Sequence, residues 1–151
     1  MRPVQNANRG PARAARGRSV IAGPGSVRDL VTQAFQSEKG LSKLQASRLF
    51  ERIAATSSLP AGKVRAELIP DASWKRARSI LGPQASQTTA RLNHVLTMAE
   101  RVWGNEADAT TWLNSPHPEL QEATPLSLLR TEAGGRAVEA LLGALEFGFS
   151  V

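Results

Sequence analysis

The chain has 151 residues, 41% hydrophobic and 21% charged, with a net charge of +6. That is an ordinary globular balance, with room for one or two small domains around a core. There is no cysteine, which excludes disulfides, thiolate catalysis and cysteine zinc sites and suits a reducing cytoplasm; no apolar run reaches the about 18 residues that a membrane helix needs.

The charge is unevenly placed. Residues 1–91 hold 16 Lys and Arg against 5 Asp and Glu, whereas residues 92–151 hold 3 against 8. Such an asymmetry points to two surfaces facing different partners. A basic half attracts phosphate backbones; an acidic half repels them and suits a basic protein.

Residues 1–25 mix Gly, Pro, Ala and Arg and read as a disordered, Arg-rich arm. Its opening stretch carries Arg2, Arg9, Arg13, Arg16 and Arg18 without an apolar centre, so it is not a secretory signal. The arm reads either as a contact to DNA or as a soluble tail. Order is expected from Ser26, with Val27, Leu30, Val31, Ala34 and Phe35 at helical spacing and Gly40 as a break. A second helix places Ala46, Leu49, Phe50 and Ile53 on one face and leaves Lys43, Arg48 and Arg52 off it.

Pro60 suits the first position of a short helix through Leu68. Ile69-Pro70-Asp71 makes a stop and restart, with Asp71 as the expected N-cap of a helix over Ala72–Leu81 that Gly82-Pro83 would end. Two short helices joined by a few residues, the second rich in basic side chains, form a helix-turn-helix pattern. Trp74, Ala77, Ile80 and Leu81 are expected to face the core. Ser73, Lys75 and Arg76 are then candidates to read base edges, and Lys63, Arg65 and Arg78 to hold phosphates. An ordinary solvated basic face is the alternative.

A longer helix is expected from about Thr88 to Trp103, with Leu92, Val95, Leu96, Ala99 and Val102 as its apolar stripe. Gly104 ends it and Asn105 caps the next, which carries Trp112 and Leu113. Residues 114–124 read as a loop, Thr124-Pro125 starts a short helix, and a last helix after Gly134-Gly135 turns Val138, Leu141, Leu142 and Leu145 to one face before Gly148. No segment alternates like a strand, so the chain reads as all-α.

Enzyme readings are weak. His94 and His117 are separated and lack cysteine partners. Glu119 and Glu122 read as solvated loop acids, and Gly23-Pro-Gly25 lacks the strand and lysine of a phosphate loop. No cofactor is expected.

The order of elements in the acidic half carries a further signal. Ala99-Glu-Arg-Val-Trp-Gly-Asn105 leads to Ala109-Thr-Thr-Trp-Leu-Asn114, then Pro116 to Glu119, Thr124-Pro-Leu-Ser-Leu-Leu129, Thr131-Glu-Ala-Gly134, and a helix ending Glu146-Phe-Gly148. Over about residues 88–149 this resembles the toxin-binding domain of the Xre/MbcA/ParS-like antitoxins. Ala72-Ser-Trp-Lys-Arg76 resembles, less closely, that family's Thr-x-x-Arg recognition segment, with Ser73 in place of Thr. One departure is Gln121-Glu-Ala123, where the family loop often carries Gly-Gly before Thr-Pro.

The resemblance implies an Xre-like helix-turn-helix domain over 26–86 and a helical toxin-binding domain over 87–151. It implies a type II toxin–antitoxin system, a RES-domain toxin that consumes NAD as partner, and repression of its own operon; because operators are usually two-fold symmetric, a homodimer is expected on DNA. The expected toxin contacts are the terminal residues Glu146, Phe147, Gly148, Phe149, Ser150 and Val151, because aromatic side chains near a chain end can anchor an interface. A stand-alone transcriptional regulator whose acidic half only dimerises is the competing reading.

Overall fold

The computed structural model describes residues 40–148. The Arg-rich arm and the helix expected over Val27–Phe35 lie outside them, as do Phe149, Ser150 and Val151. Among the described residues there is no strand; seven α-helices and one 3-10 turn follow in chain order.

Helix α1, Lys43–Thr56, begins at a full capping box: Ser42 accepts from the Gln45 backbone N–H, and the Gln45 side chain accepts from that of Ser42. It buries Ala46, Leu49, Phe50 and Ile53, the apolar stripe that the spacing predicts. Helix α2, Ala61–Leu68, buries Val64 and Leu68. Pro60 is its N-cap rather than its first residue. Pro70 pushes Ile69 into extended backbone (φ −125°, ψ 119°), and the helix stops there.

Helix α3, Asp71–Arg76, is shorter than the ten residues expected. Pro70 is its N-cap, Asp71 its first residue, and Ala77 leaves helical geometry. The cause lies far away in sequence. The Lys43 ammonium donates to the carbonyls of Trp74 and Ala77, 2.9 Å each, and satisfies the end of α3. The next residues then pair with the chain before α1: Leu81 N–H donates to Leu41 O (2.9 Å) and Lys43 N–H to Ser79 O (2.8 Å). An isolated antiparallel bridge joins Ser42 and Ile80. Consequently Trp74 and Ala77 are half-buried, Leu81 is buried, and Ile80, expected in the core, is 48% exposed.

Helix α4, Pro83–Trp103, starts earlier than predicted because Gly82-Pro83 opens it instead of closing its predecessor; the missing proline N–H costs nothing at a first helical position. Its stripe buries Leu92, Val95, Leu96 and Ala99, and Gly104 ends it at φ +76°. Helix α5, Glu106–Leu113, is capped by Asn105, whose side chain accepts from Asp108 N–H (2.8 Å). The expected loop contains a 3-10 turn, Pro118–Leu120. Thr124 caps α6, Pro125–Leu128, and Thr131 caps α7, Glu132–Glu146. Helix α7 therefore begins before Gly134-Gly135, which lie in its first turn.

One apolar cluster runs from Ala46 to Leu142. Helix α4 packs against α5 and α7, α1 against α2 and α5, and α2 against α4 and α6. The division expected at residues 86–87 falls inside α4, so both halves share its core face.

Candidate nucleic-acid and partner-binding surfaces

The helix-turn-helix candidate is α2 and α3, joined by Ile69-Pro70. Lys75 and Arg76 are exposed on α3, and Arg76 reaches back to Ser73 Oγ at 3.5 Å. Arg78 is exposed just past the end of the helix, and Lys63 is exposed on α2 beside buried Val64. These five side chains occupy neighbouring stretches of one motif and leave four cations facing outward.

Arg65, grouped with the phosphate contacts by sequence, sits differently. Its side chain is only 16% exposed; it pairs with Asp71, donates to Ile69 O (3.3 Å) and lies 5.6 Å from the centre of the Trp74 ring. The hydrogen bond and charge of Arg65 hold the Asp71 carboxyl below the usual carboxylate range. Arg65 thus braces the turn that orients α3. Lys43 does the same from the other end, with its ammonium 4.8 Å from the Trp74 ring. Trp74 also meets Phe50 edge-on at 5.9 Å, so α3 is seated on the core through one aromatic side chain. Sequence alone placed Lys43 off the apolar face of its helix; no local pattern marks a cation that caps a helix 31 residues away.

The acidic half is built from capped turns. Thr124 Oγ1 accepts from Ser127 N–H (3.2 Å) and Thr131 Oγ1 from Gly134 N–H (3.0 Å). A side chain at Gly134 would place Cβ 2.1 Å from Leu128 O, and one at Gly135 would meet Arg91 Cδ at 2.2 Å. Arg91 is held there by its bond to Leu129 O (2.7 Å). Two small residues therefore let α7 close on the α6 turn and on α4.

Between the 3-10 turn and α6, Gln121 and Glu122 both take positive φ, 56° and 61°, in the left-handed region that favours glycine. These are two of the three positions at which the resemblance leads one to expect Gly-Gly. Hydrogen bonds from Gln121 N–H to Pro118 O (3.0 Å), Glu122 N–H to His117 O (3.1 Å) and Ala123 N–H to Leu120 O (3.1 Å) hold the loop regardless. His117 caps the 3-10 turn by accepting from Glu119 N–H at Nδ1 (3.2 Å). His94 lies 3.9 Å from Glu139. Among the described residues no three His, Cys, Asp or Glu side chains gather where they could hold a metal ion, and no helix is long and apolar enough to cross a membrane.

At the end of α7, Glu146, Phe147 and Gly148 are exposed. Phe147 is the most exposed large apolar side chain described, at 74%, and Gly148 turns the chain with φ +69°. Trp103 and Trp112, by contrast, pack on each other with centroids 4.8 Å apart.

Residues 98–148 match the family model described as the Antitoxin Xre/MbcA/ParS C-terminal toxin-binding domain. A protein of Yersinia enterocolitica named Antitoxin Xre is 36% identical over 97 residues, covering 61% of this chain and 66% of its own length. A protein of Pseudomonas putida with the same name is 33% identical over 61 residues, covering 40% of this chain and 38% of its own. The chain thus spans just under two thirds of the first relative and well under half of the second.

Proposed function

The chain belongs to the Xre/MbcA/ParS-like antitoxin family, and from that premise we propose that it is the antitoxin of a type II toxin–antitoxin system. It neutralises a toxin through the domain matched at residues 98–148 and represses its own operon through α2 and α3. The observation that carries the first part is the coincidence of that match with an α7 that ends on exposed Phe147. An aromatic side chain left in water at a helix end is available to fill a partner's pocket. The exposed cations Lys63, Lys75, Arg76 and Arg78 support the second part.

The partner is a RES-domain toxin that consumes NAD, a reading supported by the order of motifs from Trp103 to Gly148. The terminal segment from Glu146 onward covers the entrance of the toxin's active site. On operator DNA the protein acts in the cytoplasm as a homodimer, since a two-fold site needs two copies of α3.

Co-expression with the product of the adjacent gene tests this reading. Growth is rescued and the two proteins purify together; a chain lacking residues 147–151 loses rescue while remaining folded by circular dichroism. If the full chain neither rescues growth nor forms the complex, the antitoxin assignment is wrong. If the truncated chain rescues growth as well as the full one, the tail assignment fails.

A further inference from the structure

A cavity of about 430 Å³ opens where the α2–α3 turn, the first turns of α4 and the link between α6 and α7 meet. We propose that it binds a phosphate group. Its polar lining includes Ser73, Gln84, Thr88, Arg130 and Thr131, and no carboxylate lines it. Arg130 is its one charged lining group and forms no ion pair among the described residues. The acids nearest in sequence are already engaged: Asp71 pairs with Arg65, and Glu132 with Arg136.

Two further features favour an anion. Helix α4 has 21 residues, and its N-cap, Gly82, has no side chain to accept from the first turn. The N–H groups of Gln84 and Ala85 therefore find no acceptor among the described residues, and both residues line the cavity. Thr88, one turn further on, lines it too and is only 3% exposed, yet its hydroxyl enters no hydrogen bond among the described residues. The neighbouring hydroxyls are spent: Thr89 donates to Ala85 O (2.8 Å) and Ser86 to Leu81 O (3.2 Å). A nearly buried threonine, the uncapped first turn of a long helix and an arginine without an ion pair thus line one cavity that no carboxylate lines.

The phosphate comes either from the DNA backbone beside Ser73 or from a free phosphorylated molecule. In the first case Arg130, from the acidic half, extends the DNA footprint beyond α3. The inference stands on the cavity and does not require the antitoxin reading.

Two titrations of the full chain test it. In one, inorganic phosphate and pyrophosphate are added and amide shifts of residues 84–88 and 130–131 are followed by NMR. In the other, duplex DNA affinity is measured across salt concentrations. Thr88→Val keeps the buried volume while removing the hydroxyl, and Arg130→Gln removes the charge. Arg136→Gln is the control, since Arg136 does not line the cavity. If free phosphate binds and both variants weaken it about tenfold, one charge-assisted bond's worth, the ligand is a free phosphate. If free phosphate does not bind but both variants weaken DNA binding and Arg130→Gln lowers the salt slope by about one, the ligand is the DNA backbone. If neither variant differs from Arg136→Gln in either titration, the cavity is not a phosphate site.

Discussion

Replacing Gly134 by alanine would normally stabilise a helix, by about 1 kcal/mol on intrinsic propensity. Here the opposite is expected. The new Cβ falls 2.1 Å from Leu128 O and 2.9 Å from its carbonyl carbon, both backbone atoms that cannot rotate away. Relief requires α7 to move off the α6 turn. That movement stretches the 3.0 Å bond from Gly134 N–H to Thr131 Oγ1, the only side-chain cap of α7. Overpacking costs about 1–3 kcal/mol and loss of a cap about 1 kcal/mol. After the propensity gain the net loss is about 1–3 kcal/mol, or on the order of 10 °C in melting temperature for a domain of this size. Gly143 is the internal control. It lies in the same helix, and a Cβ there meets nothing within 4 Å, so Gly143→Ala gains about 0.5–1 kcal/mol. Urea denaturation followed by circular dichroism measures both. Equal effects for the two alanines would refute the claim that Gly134 is required by close approach.

Gln121→Gly and Glu122→Gly each relieve a left-handed L-residue, worth about 1–2 kcal/mol before the entropy that glycine adds; a rise of a few degrees in melting temperature checks this, and a fall contradicts it. The folded-state pKa of Asp71 is depressed, so the stability from its pairing with Arg65 is present above the unfolded value and is lost as pH falls through the folded one. Wild type therefore melts above Asp71→Asn at neutral pH, and the gap closes under acid; a gap independent of pH removes the pairing from the account. Arg52 bridges Glu100 and Glu106 at an exposed site, so Arg52→Ala costs less than about 1 kcal/mol. Lys75→Ala with Arg76→Ala weakens operator binding while leaving the melting temperature unchanged, because neither side chain is buried; unchanged affinity in a shift assay would move the reading surface elsewhere.

Much of the fold was legible because apolar spacing is a local signal. The stripes of α1 and α4 bury the residues that the spacing names, and Asn105, Thr124 and Gly104 mark boundaries through their own cap chemistry. What was illegible depends on contacts distant in sequence. Residues 77–81 would continue a helix by propensity, but Lys43 and Leu41 offer their groups a better arrangement. Gly82-Pro83 serves equally as a stop or a start, and the pairing of residues 79–81 with the chain before α1 leaves it only the second role. Of the proposed DNA contacts, the exposure of Lys63, Lys75, Arg76 and Arg78 followed from their positions off the apolar faces. The engagement of Arg65 did not, since a cation's partner six residues away depends on the bend at Pro70. The positive φ of Gln121 and Glu122 had no signature in those two residues, since neither prefers that conformation; the one pointer to it was the Gly-Gly that the resemblance sets against them.

Helix α4 has a bearing on how such a protein could acquire a new partner. Its buried residues Leu92, Val95, Leu96 and Ala99 belong to one cluster with Ile53 and Val64 before it and Leu129 and Val138 after it. A graft that exchanged only the residues after 87 would bring in a foreign helix face against α1 and α2. The exchangeable unit is therefore larger than the proposed partner-binding surface, and new recognition is more readily gained at the periphery, at the end of α7 and in the 117–123 loop outside buried Leu120, where substitutions leave that shared packing untouched.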